Sequence, residues 1–463
     1  MKTFQELDLL PSIKKALEEK GYTTPTPIQA KSIPHLLEGK DLLGIAQTGT
    51  GKTAAFSLPI INGIGKTFVK MKPKRTRVLI LTPTRELASQ IEINIKSYAK
   101  GLRLKTKVIF GGVGATPQIN ALKQGLDIVV ATPGRLLDLM NTNHIVFDQL
   151  DTFVLDEADR MLDMGFIHDV KKIIAKLPPK KQTLLFSATM PKDIEKLAAT
   201  LLHKPERVEV TPESSTVDKI TQSVSMLTKD NKLHLLVKIL KEEDIKSVLV
   251  FTRTKHGADK VVRKLEQSSI KAAAIHGNKS QNNRVRALDK FRSGELKVLI
   301  ATDIAARGID VEHISHVINF NLPEDPKSYV HRIGRTARAG REGIAISFCD
   351  AAEMGYLKTI EKHTKQKIPV NLDQPYHEEM TPVAPPKPGA NRQGGGRNGG
   401  GRNGGGRQGA PKTGGKPSSN SRSGNKTSKK PTSKPGQKSA APKSGNTITK
   451  KPARSFRRKV KKD

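Results

Sequence analysis

The sequence is poor in cysteine: Cys349 is the single cysteine among 463 residues. One cysteine cannot form a disulfide within the chain or a multi-cysteine metal site, and it is typical of a reducing compartment. Because it follows the apolar run 344–348, we expect a buried thiol rather than a nucleophile. No stretch approaches the ~20 apolar residues of a membrane span, and the N-terminal residues lack the apolar core of a signal peptide. We therefore expect a cytoplasmic protein with no membrane association.

Acidic residues are scarce relative to basic ones, with 44 Asp and Glu against 81 Lys and Arg, a net charge of +37. Residues 381–463 carry +21 of that charge, from 22 basic residues and one acidic residue, and the remainder of the chain carries +16. A basic folded part joined to a basic tail favours a polyanionic partner. Nucleic acid is favoured over acidic lipid, because no amphipathic or lipidation signal accompanies the charge. A tail that serves only solubility is the alternative.

Long apolar runs are replaced by short β-branched runs that alternate with helical segments, which predicts parallel sheets covered on both faces. A polar stretch at 211–219 interrupts this α/β alternation and reads as a linker. From about residue 382 the composition turns to Pro, Gly, Ser, Asn and Lys, with one aromatic residue, so no core can form there. We predict a first domain over 1–210, a linker over 211–219, a second domain over 220–372, and a disordered basic tail over 373–463.

A glycine-rich turn lies between an apolar run and a helical segment, where backbone N–H groups and the helix dipole favour polyphosphate. Gly49 and Gly51 allow the backbone to approach phosphates, Lys52 can neutralise their oxygens, and the Thr53 hydroxyl can bind Mg²⁺. Ala46 stands where the common pattern has glycine, so a chance turn is the alternative. The residues assigned to the turn are Gln47, Thr48, Gly49, Thr50, Gly51, Lys52 and Thr53.

Two carboxylates follow the apolar run 152–155. We expect Asp156 to hold Mg²⁺ through water and Glu157 to orient the attacking water, as nucleotide hydrolysis requires; an ordinary solvated strand end is the alternative. Two further strand ends carry a hydroxyl residue, a proline and an arginine, and each makes a small anion site at a helix N-terminus. These sites could hold successive phosphates of a nucleic acid strand, and they contain Thr84, Arg85, Thr132, Pro133 and Arg135.

The second half of the chain has no phosphate loop but has an arginine row. Arg332, Arg335 and Arg338 recur at every third position with no acidic residue among them. A guanidinium row that needs an external anion suits an arginine finger reaching a transferred phosphate. A row of nucleic-acid contacts is the alternative.

Taken together, these motifs resemble those of the DEAD-box RNA helicases over residues ~4–350, from 25–29 near the N-terminus through 156–159 to 331–338. The resemblance implies two RecA-like domains in tandem, ATP and Mg²⁺ in the cleft between them, and RNA bound across both domains. It implies adenine recognition by Gln29 with Phe4 and Tyr22. It also assigns catalytic roles to His331, Arg335 and Arg338, a ribose contact to Asp303, and RNA contacts to Gly112, Arg253, Thr302 and Arg307.

Strings at 251–257 and 274–280 look most like the bacterial RhlE-type subgroup of this family. We expect an enzyme that uses ATP to separate short duplexes of no particular sequence; an ATP-gated RNA clamp carries the same motifs and is the alternative. A translocating DNA helicase would need stepping elements that the sequence does not show. We also expect a monomer, with ribosomal or RNA-decay proteins as candidate partners.

Overall fold

The computed structural model of the chain describes residues 3–67, 69–210, 219–242, 245–306, 314–337 and 342–380. The predicted linker, except for residue 219, and the tail beyond residue 380 lie outside these ranges. The described residues form two sheets: sheet A in domain 1 (residues 3–210) and sheet B in domain 2 (residues 219–380).

Sheet A has the strand order β3-β4-β2-β5-β6-β1-β7, and every pairing between its strands is parallel. Neighbouring residues along each strand enter different apolar clusters, since Val78 and Ile80 pack on one face and Leu79 and Leu81 on the other. A parallel sheet must be covered by helices on both faces, as the apolar runs predict. The strands are β1 (Leu42–Ile45), β2 (Thr76–Leu81), β3 (Thr106–Ile109), β4 (Leu126–Ala131), β5 (Thr152–Leu155), β6 (Gln182–Ser187) and β7 (Glu206–Glu209).

The helices of domain 1 start in different ways, with proline after a hydroxyl residue at Pro27 and Pro133. They are α1 (Pro11–Glu19), α2 (Pro27–Leu37), α3 (Lys52–Lys66), α4 (Arg85–Tyr98), α5 (Thr116–Leu122), α6 (Pro133–Asn141), α7 (Ala158–Asp163), α8 (Ile167–Ile174) and α9 (Lys192–Leu201).

Sheet B is also parallel throughout its pairings, with the order β10-β11-β9-β12-β13-β8. Its strands are β8 (Ile220–Met226), β9 (Val248–Phe251), β10 (Ala272–Ile275), β11 (Val298–Ala301), β12 (His316–Asn319) and β13 (Gly343–Cys349). Its helices are α10 (Asn231–Glu242), α11 (Lys255–Gln267), α12 (Gln281–Arg292), α13 (Asp303–Ala306), α14 (Pro326–Ile333) and α15 (Met354–Thr364).

Sequence reasoning missed β8, because its apolar residues alternate with polar ones. The strand lies at the edge of sheet B, and Thr221 and Gln222 are exposed or half-buried. An edge strand needs fewer apolar residues than the central strands, so its pattern is weaker.

The folded part of domain 2 extends past residue 372, where we expected the tail to begin. Gln374 is buried and donates its side-chain N–H to the Met226 carbonyl oxygen over 3.1 Å. The Tyr376 ring lies 6.0 Å from the His234 ring. The backbone N–H of Glu378 also donates to Met226. Residues 373–378 therefore pack on β8 and α10, and this part of the predicted boundary is corrected.

The Cys349 thiol is fully buried at the end of β13, as expected, and burial raises its pKa to about 12. Such a thiol is a poor nucleophile at neutral pH. Across the six described ranges, no helix combines the length and the apolar character needed to cross a membrane.

Candidate functional site

The phosphate loop (residues 46–52) joins β1 to α3. Gly49 and Gly51 have φ angles of 85° and 92°, in the left-handed region that favours glycine. The Thr50 hydroxyl donates to the Gln47 carbonyl oxygen over 2.8 Å and closes the turn. Within the described part of the chain, no side chain caps the start of α3, which leaves its first N–H groups to an anion. The loop therefore has the geometry of a polyphosphate site.

Lys52 is buried at the start of α3, with 6% of its surface exposed. Its Nζ donates to the Ala46 carbonyl oxygen over 2.7 Å, so the side chain lies back along the loop. Thr48 and Thr53 are half-buried beside it. A phosphate oxygen carries more negative charge than a carbonyl and is the stronger acceptor for an ammonium group. Lys52 is thus placed to exchange its loop contact for a nucleotide.

Gln29 connects α2 to the phosphate loop. Its Oε1 accepts from the backbone N–H of Thr26 over 2.9 Å, and its Nε2 donates to the Gly51 carbonyl oxygen over 3.0 Å. A Cβ at Gly51 would collide with this amide. The structure therefore brings Gln29 to the phosphate loop, and its contact with adenine stays a prediction. These contacts use one lone pair and one N–H of the amide, which leaves one of each for a base.

The two aromatic residues expected near adenine differ in exposure. Phe4 is 3% exposed and packs in the core of domain 1, so it offers no open ring face to a base. Tyr22 is 39% exposed, and its ring lies 6.3 Å from the ring of Tyr98. Of the two, Tyr22 has the surface that a base could contact.

Asp156 follows β5 and is 2% exposed. Its Oδ1 is buried and has no hydrogen-bond partner among the described residues. Burial raises the pKa of this carboxyl to about 7, while the charge of Lys52 acts to lower it and that of Glu157 to raise it. A buried carboxylate oxygen without a partner costs free energy unless a ligand satisfies it.

Glu157 adopts a left-handed conformation, with φ of 55°, immediately before α7. Non-glycine residues rarely adopt this conformation, and it frequently occurs at functional sites. The carboxylate is buried and accepts from Arg160 Nη1 over 2.6 Å. Glu157 is thus held by Arg160, whereas Asp156 Oδ1 has no partner among the described residues.

Asp159 joins the end of β5 to the end of β6. Its Oδ2 accepts from both the backbone N–H and the hydroxyl of Thr189, each over 2.9 Å, and its own N–H donates to Ser187 Oγ over 3.2 Å. The acidic turn (residues 156–159) is therefore linked to residues 187–189.

Arg85 lies in the first turn of α4, which Thr84 caps by accepting the Leu87 N–H over 3.3 Å. A Cβ at Gly112 would collide with the Arg85 guanidinium, and Gly112 has a φ of 80°. Partial burial lowers the pKa of Arg85, and the charges of Arg284 and Arg135 lower it further. Cations held this close together favour an anion between them.

Thr132 and Pro133 begin α6 as predicted. Arg135 Nη2 donates to the Val113 carbonyl oxygen over 3.1 Å, next to Gly112. The arginines of the two predicted anion sites in domain 1 therefore lie at the same loop, the one that contains Gly112 and Val113.

The domains contact each other through Glu86, a residue that sequence reasoning did not assign. Its carboxylate is buried and accepts from Gln281 Nε2 over 2.8 Å and pairs with Arg284 Nη2 at 3.1 Å. Gln281 and Arg284 are three residues apart on α12, hence on one face. The three-residue spacing of Gln281 and Arg284, together with the acid directly after Arg85, was the signal from which this contact could have been predicted.

Two predicted RNA residues of domain 2 follow β9 and β11. Arg253 pairs with Glu353 at 3.0 Å, and its side chain is 41% exposed. Thr302 is half-buried, and its carbonyl oxygen accepts from the backbone N–H groups of Ala305 and Ala306 in α13.

Arg332 differs from the prediction that the arginine row needs an external anion. This residue is 2% exposed and pairs with Asp303 through Nε and Nη2, at 2.5 and 2.7 Å. Its Nη1 donates to Asn319 and Asn321, and its guanidinium lies over the Phe251 ring. Arg332 therefore needs no external anion, and Asp303 holds this structural pair in addition to its predicted ribose role.

Arg335 is buried, and its Nε donates to the His331 carbonyl oxygen over 3.1 Å. His331 and Arg335 line a pocket together with Arg160 of domain 1. His331 is exposed at the rim of this pocket, yet partial burial of its ring lowers its pKa, and the charges of Arg160 and Arg335 lower it further. The predicted residues Arg307 and Arg338 lie outside the described residues.

Two protein families match the chain. The DEAD/DEAH box helicase family matches residues 26–197, and the helicase conserved C-terminal domain matches residues 231–340. These ranges contain the phosphate loop, the acidic turn and α14.

Curated relatives match along most of their length. The DEAD-box ATP-dependent RNA helicase CshA of Geobacillus kaustophilus is 43% identical over 378 residues, which cover 81% of this chain and 80% of that protein. The ATP-dependent RNA helicase CshA of Listeria monocytogenes is 43% identical over 368 residues, covering 80% and 70%. Both bear the name CshA, whereas the sequence strings suggested the RhlE-type subgroup.

A solved structure of Saccharomyces cerevisiae Dbp5 bound to RNA and ADP BeF3 has a TM-score of 0.70 and 32% sequence identity. The match covers 80% of this chain and 96% of that one. This confirms the expected architecture of two RecA-like α/β domains.

Proposed function

Because the chain belongs to the DEAD-box family of RNA helicases, we propose that it is an ATP-dependent RNA helicase that separates short duplexes locally, without processive translocation. The observation that carries this proposal is the pocket shared by the two domains. Arg160, next to the acidic turn of domain 1, lines it together with His331 and Arg335 of domain 2. A nucleotide in domain 1 would therefore face groups from domain 2.

Several residues of domain 1 would each have a separate role in ATP hydrolysis. Lys52 and the loop N–H groups bind the β- and γ-phosphates, and Glu157 orients and polarises the attacking water. Asp156 and Thr53 would hold Mg²⁺, and the buried Asp156 Oδ1 without a described partner fits this hard cation, which takes oxygen ligands. When bound, Mg²⁺ neutralises charge on the phosphates. Gln29 and Tyr22 would bind the adenine.

Domain 2 would complete the site. His331, Arg335 and Arg338 would approach the γ-phosphate across the shared pocket, and Asp303 would lie near the ribose. Since RNA would contact both domains, its binding would favour the arrangement in which they share this pocket and make hydrolysis RNA-dependent. Neither domain alone should hydrolyse ATP at the native rate.

RNA would run along the N-termini of α4 and α6. Thr84, Arg85, Gly112, Thr132, Pro133 and Arg135 would supply N-terminal helix groups and guanidinium groups in domain 1. In domain 2, Arg253 and Thr302 would add further contacts, and Arg307 is a third candidate from the sequence. Contacts to phosphates do not read bases, so binding should be independent of sequence.

An ATP-gated RNA clamp would carry the same residues. Strand separation and ATP turnover measured on one short RNA duplex separate the two functions, because a helicase couples them. ATP hydrolysis without strand separation would contradict the proposal.

The names of the relatives favour a CshA-like protein over the RhlE-type subgroup. We further propose that the protein acts in the cytoplasm as a monomer, with ribosomal or RNA-decay proteins as partners. Crosslinking to RNA in cells, followed by sequencing, would identify its targets.

A further inference from the structure

A buried network of charged side chains lies next to Arg253 in domain 2. At its centre is Glu353, which lies between β13 and α15 and has 2% of its side chain exposed. Its Oε1 accepts from Arg253 Nη2 over 3.0 Å and from Asn321 Nδ2 over 3.1 Å. Its Oε2 accepts from Lys232 Nζ over 2.5 Å. One carboxylate therefore joins groups from three parts of the domain.

Lys232 anchors this carboxylate from α10. Its side chain is 1% exposed and also pairs with Asp350 Oδ2 at 2.9 Å. Removing an ammonium group from water is costly, and the two carboxylates offset that cost only while they stay in contact with it. Lys232 therefore fixes Glu353 in one position, and its charge compensates that of an acid close to the RNA surface.

Contacts hold both the backbone and the guanidinium group of Arg253. Its backbone N–H donates to Asn321 Oδ1 over 3.3 Å, and its guanidinium lies over the Tyr356 ring, 5.3 Å from the ring centre. The contacts of the guanidinium with Glu353 and with the Leu322 carbonyl oxygen both use Nη2. A guanidinium has five N–H donors, and the side chain is 41% exposed, so a phosphate can approach it while Glu353 stays bound.

We propose that Glu353 is a positioning residue for RNA binding: it holds the Arg253 guanidinium in place for a phosphate without contacting RNA itself. The inference rests on the proposed function, since it requires Arg253 to contact RNA. An arginine side chain loses rotamer entropy when it is ordered, and a side chain ordered before binding adds less to the cost of association. Glu353 and Lys232 supply that order in the free protein.

The test is Glu353→Gln in the full chain, measured as ATP turnover against the concentration of a single-stranded RNA. We expect the RNA concentration for half-maximal turnover to rise about tenfold, which corresponds to ~1.4 kcal/mol, while turnover at saturating RNA falls much less. A loss of folded protein would lower the maximal rate but not shift the half-saturation point. Glu361→Gln is the matched control, because Glu361 lies on α15 and pairs with Lys367 instead.

A double-mutant cycle with Arg253→Ala decides whether Glu353 acts through Arg253. We expect Glu353→Gln to cause no further rise once Arg253 is removed; effects that multiply, or a normal half-saturation point in Glu353→Gln, would overturn the inference. If Glu353→Gln folds poorly, Lys232→Met combined with Glu353→Gln removes one buried charge of each sign and is better tolerated. Native protein without RNA-stimulated turnover would instead refute the proposed function.

Discussion

Two buried sites, one in each domain, differ in whether their charged groups have partners. In domain 1 the Asp156 carboxylate is buried with Oδ1 lacking a partner among the described residues, and burial raises its pKa to about 7. In domain 2 the buried cations Arg332 and Lys232 are paired, with Asp303 and with Asp350 and Glu353. A buried group without a partner destabilises the free protein, and removing one member of a buried pair leaves the other member in that condition.

This difference distinguishes a ligand-binding site in domain 1 from a framework in domain 2 that orients other side chains. Domain 1 retains an unsatisfied acid next to a phosphate loop, and a bound nucleotide with its cation would relieve it. In domain 2, ion pairs within the domain fix Arg253 and α14. This domain therefore contributes groups that are held in fixed positions. The sharpest tests are substitutions that affect catalysis in one domain and stability in the other.

The largest effect is expected for Glu157→Gln in domain 1. An amide cannot polarise the attacking water as a carboxylate does, so turnover should fall by about 10² or more, while ATP still binds. Steady-state turnover with saturating RNA and direct measurement of ATP binding check this. Asp193→Asn, an exposed acid on α9, is the control, and near-native turnover of Glu157→Gln would contradict the assignment.

Within the arginine row, Arg332→Lys and Arg335→Lys should separate structure from catalysis. Lysine cannot reproduce the two-point pair with Asp303, so Arg332→Lys should lower the free energy of unfolding by about 2 kcal/mol. Arg335→Lys should lower RNA-stimulated turnover about tenfold with a smaller loss of stability. Urea unfolding and turnover of both variants test the contrast; the reverse pattern would show that the two roles are exchanged.

The unsatisfied acid of domain 1 predicts a pH dependence of stability without nucleotide or Mg²⁺. The pKa of Asp156 is about 7 in the folded protein and near 3.8 when exposed, so between these values the folded state binds more protons. Stability should then fall as pH rises, by at most ~1.4 kcal/mol per pH unit from this group. Urea unfolding at pH 5.5 and 7 in a chelator should show a smaller difference for Asp156→Asn. An unchanged difference would mean that Asp156 is already ionised at pH 5.5.

The smallest effect on turnover is expected for removal of the residues after Met380. Their charge of +21 should bind phosphates without reading bases, so truncation should weaken RNA affinity. It should also flatten the salt dependence of that affinity, by ~0.7 log units for each phosphate that the tail neutralises. Turnover at saturating RNA should stay near native. A tail of equal length with Gln in place of Lys and Arg is the control; equal salt slopes for native and truncated protein would leave only a solubility or protein-recruiting role.

Features that depend on neighbouring residues could be predicted from the sequence. Short apolar runs predicted most of the strands, because a strand buried on both faces must be apolar along its length. The phosphate loop and the acids after β5 were predictable for the same reason, since a turn and the helix after it are set by adjacent residues. The edge strand β8 was not predicted, because exposed polar positions interrupt its apolar pattern.

Partners from distant parts of the chain were decided only by the tertiary structure. Asp303 lies 29 residues from Arg332, Lys232 lies 121 residues from Glu353, and Glu86 lies 195 residues from Gln281. The arginine row looked unpaired because no acidic residue stands among its members. Charge pairing depends on distance in space, and the folding of parallel strands through helical crossovers brings together residues whose separation along the chain carries no signal of proximity.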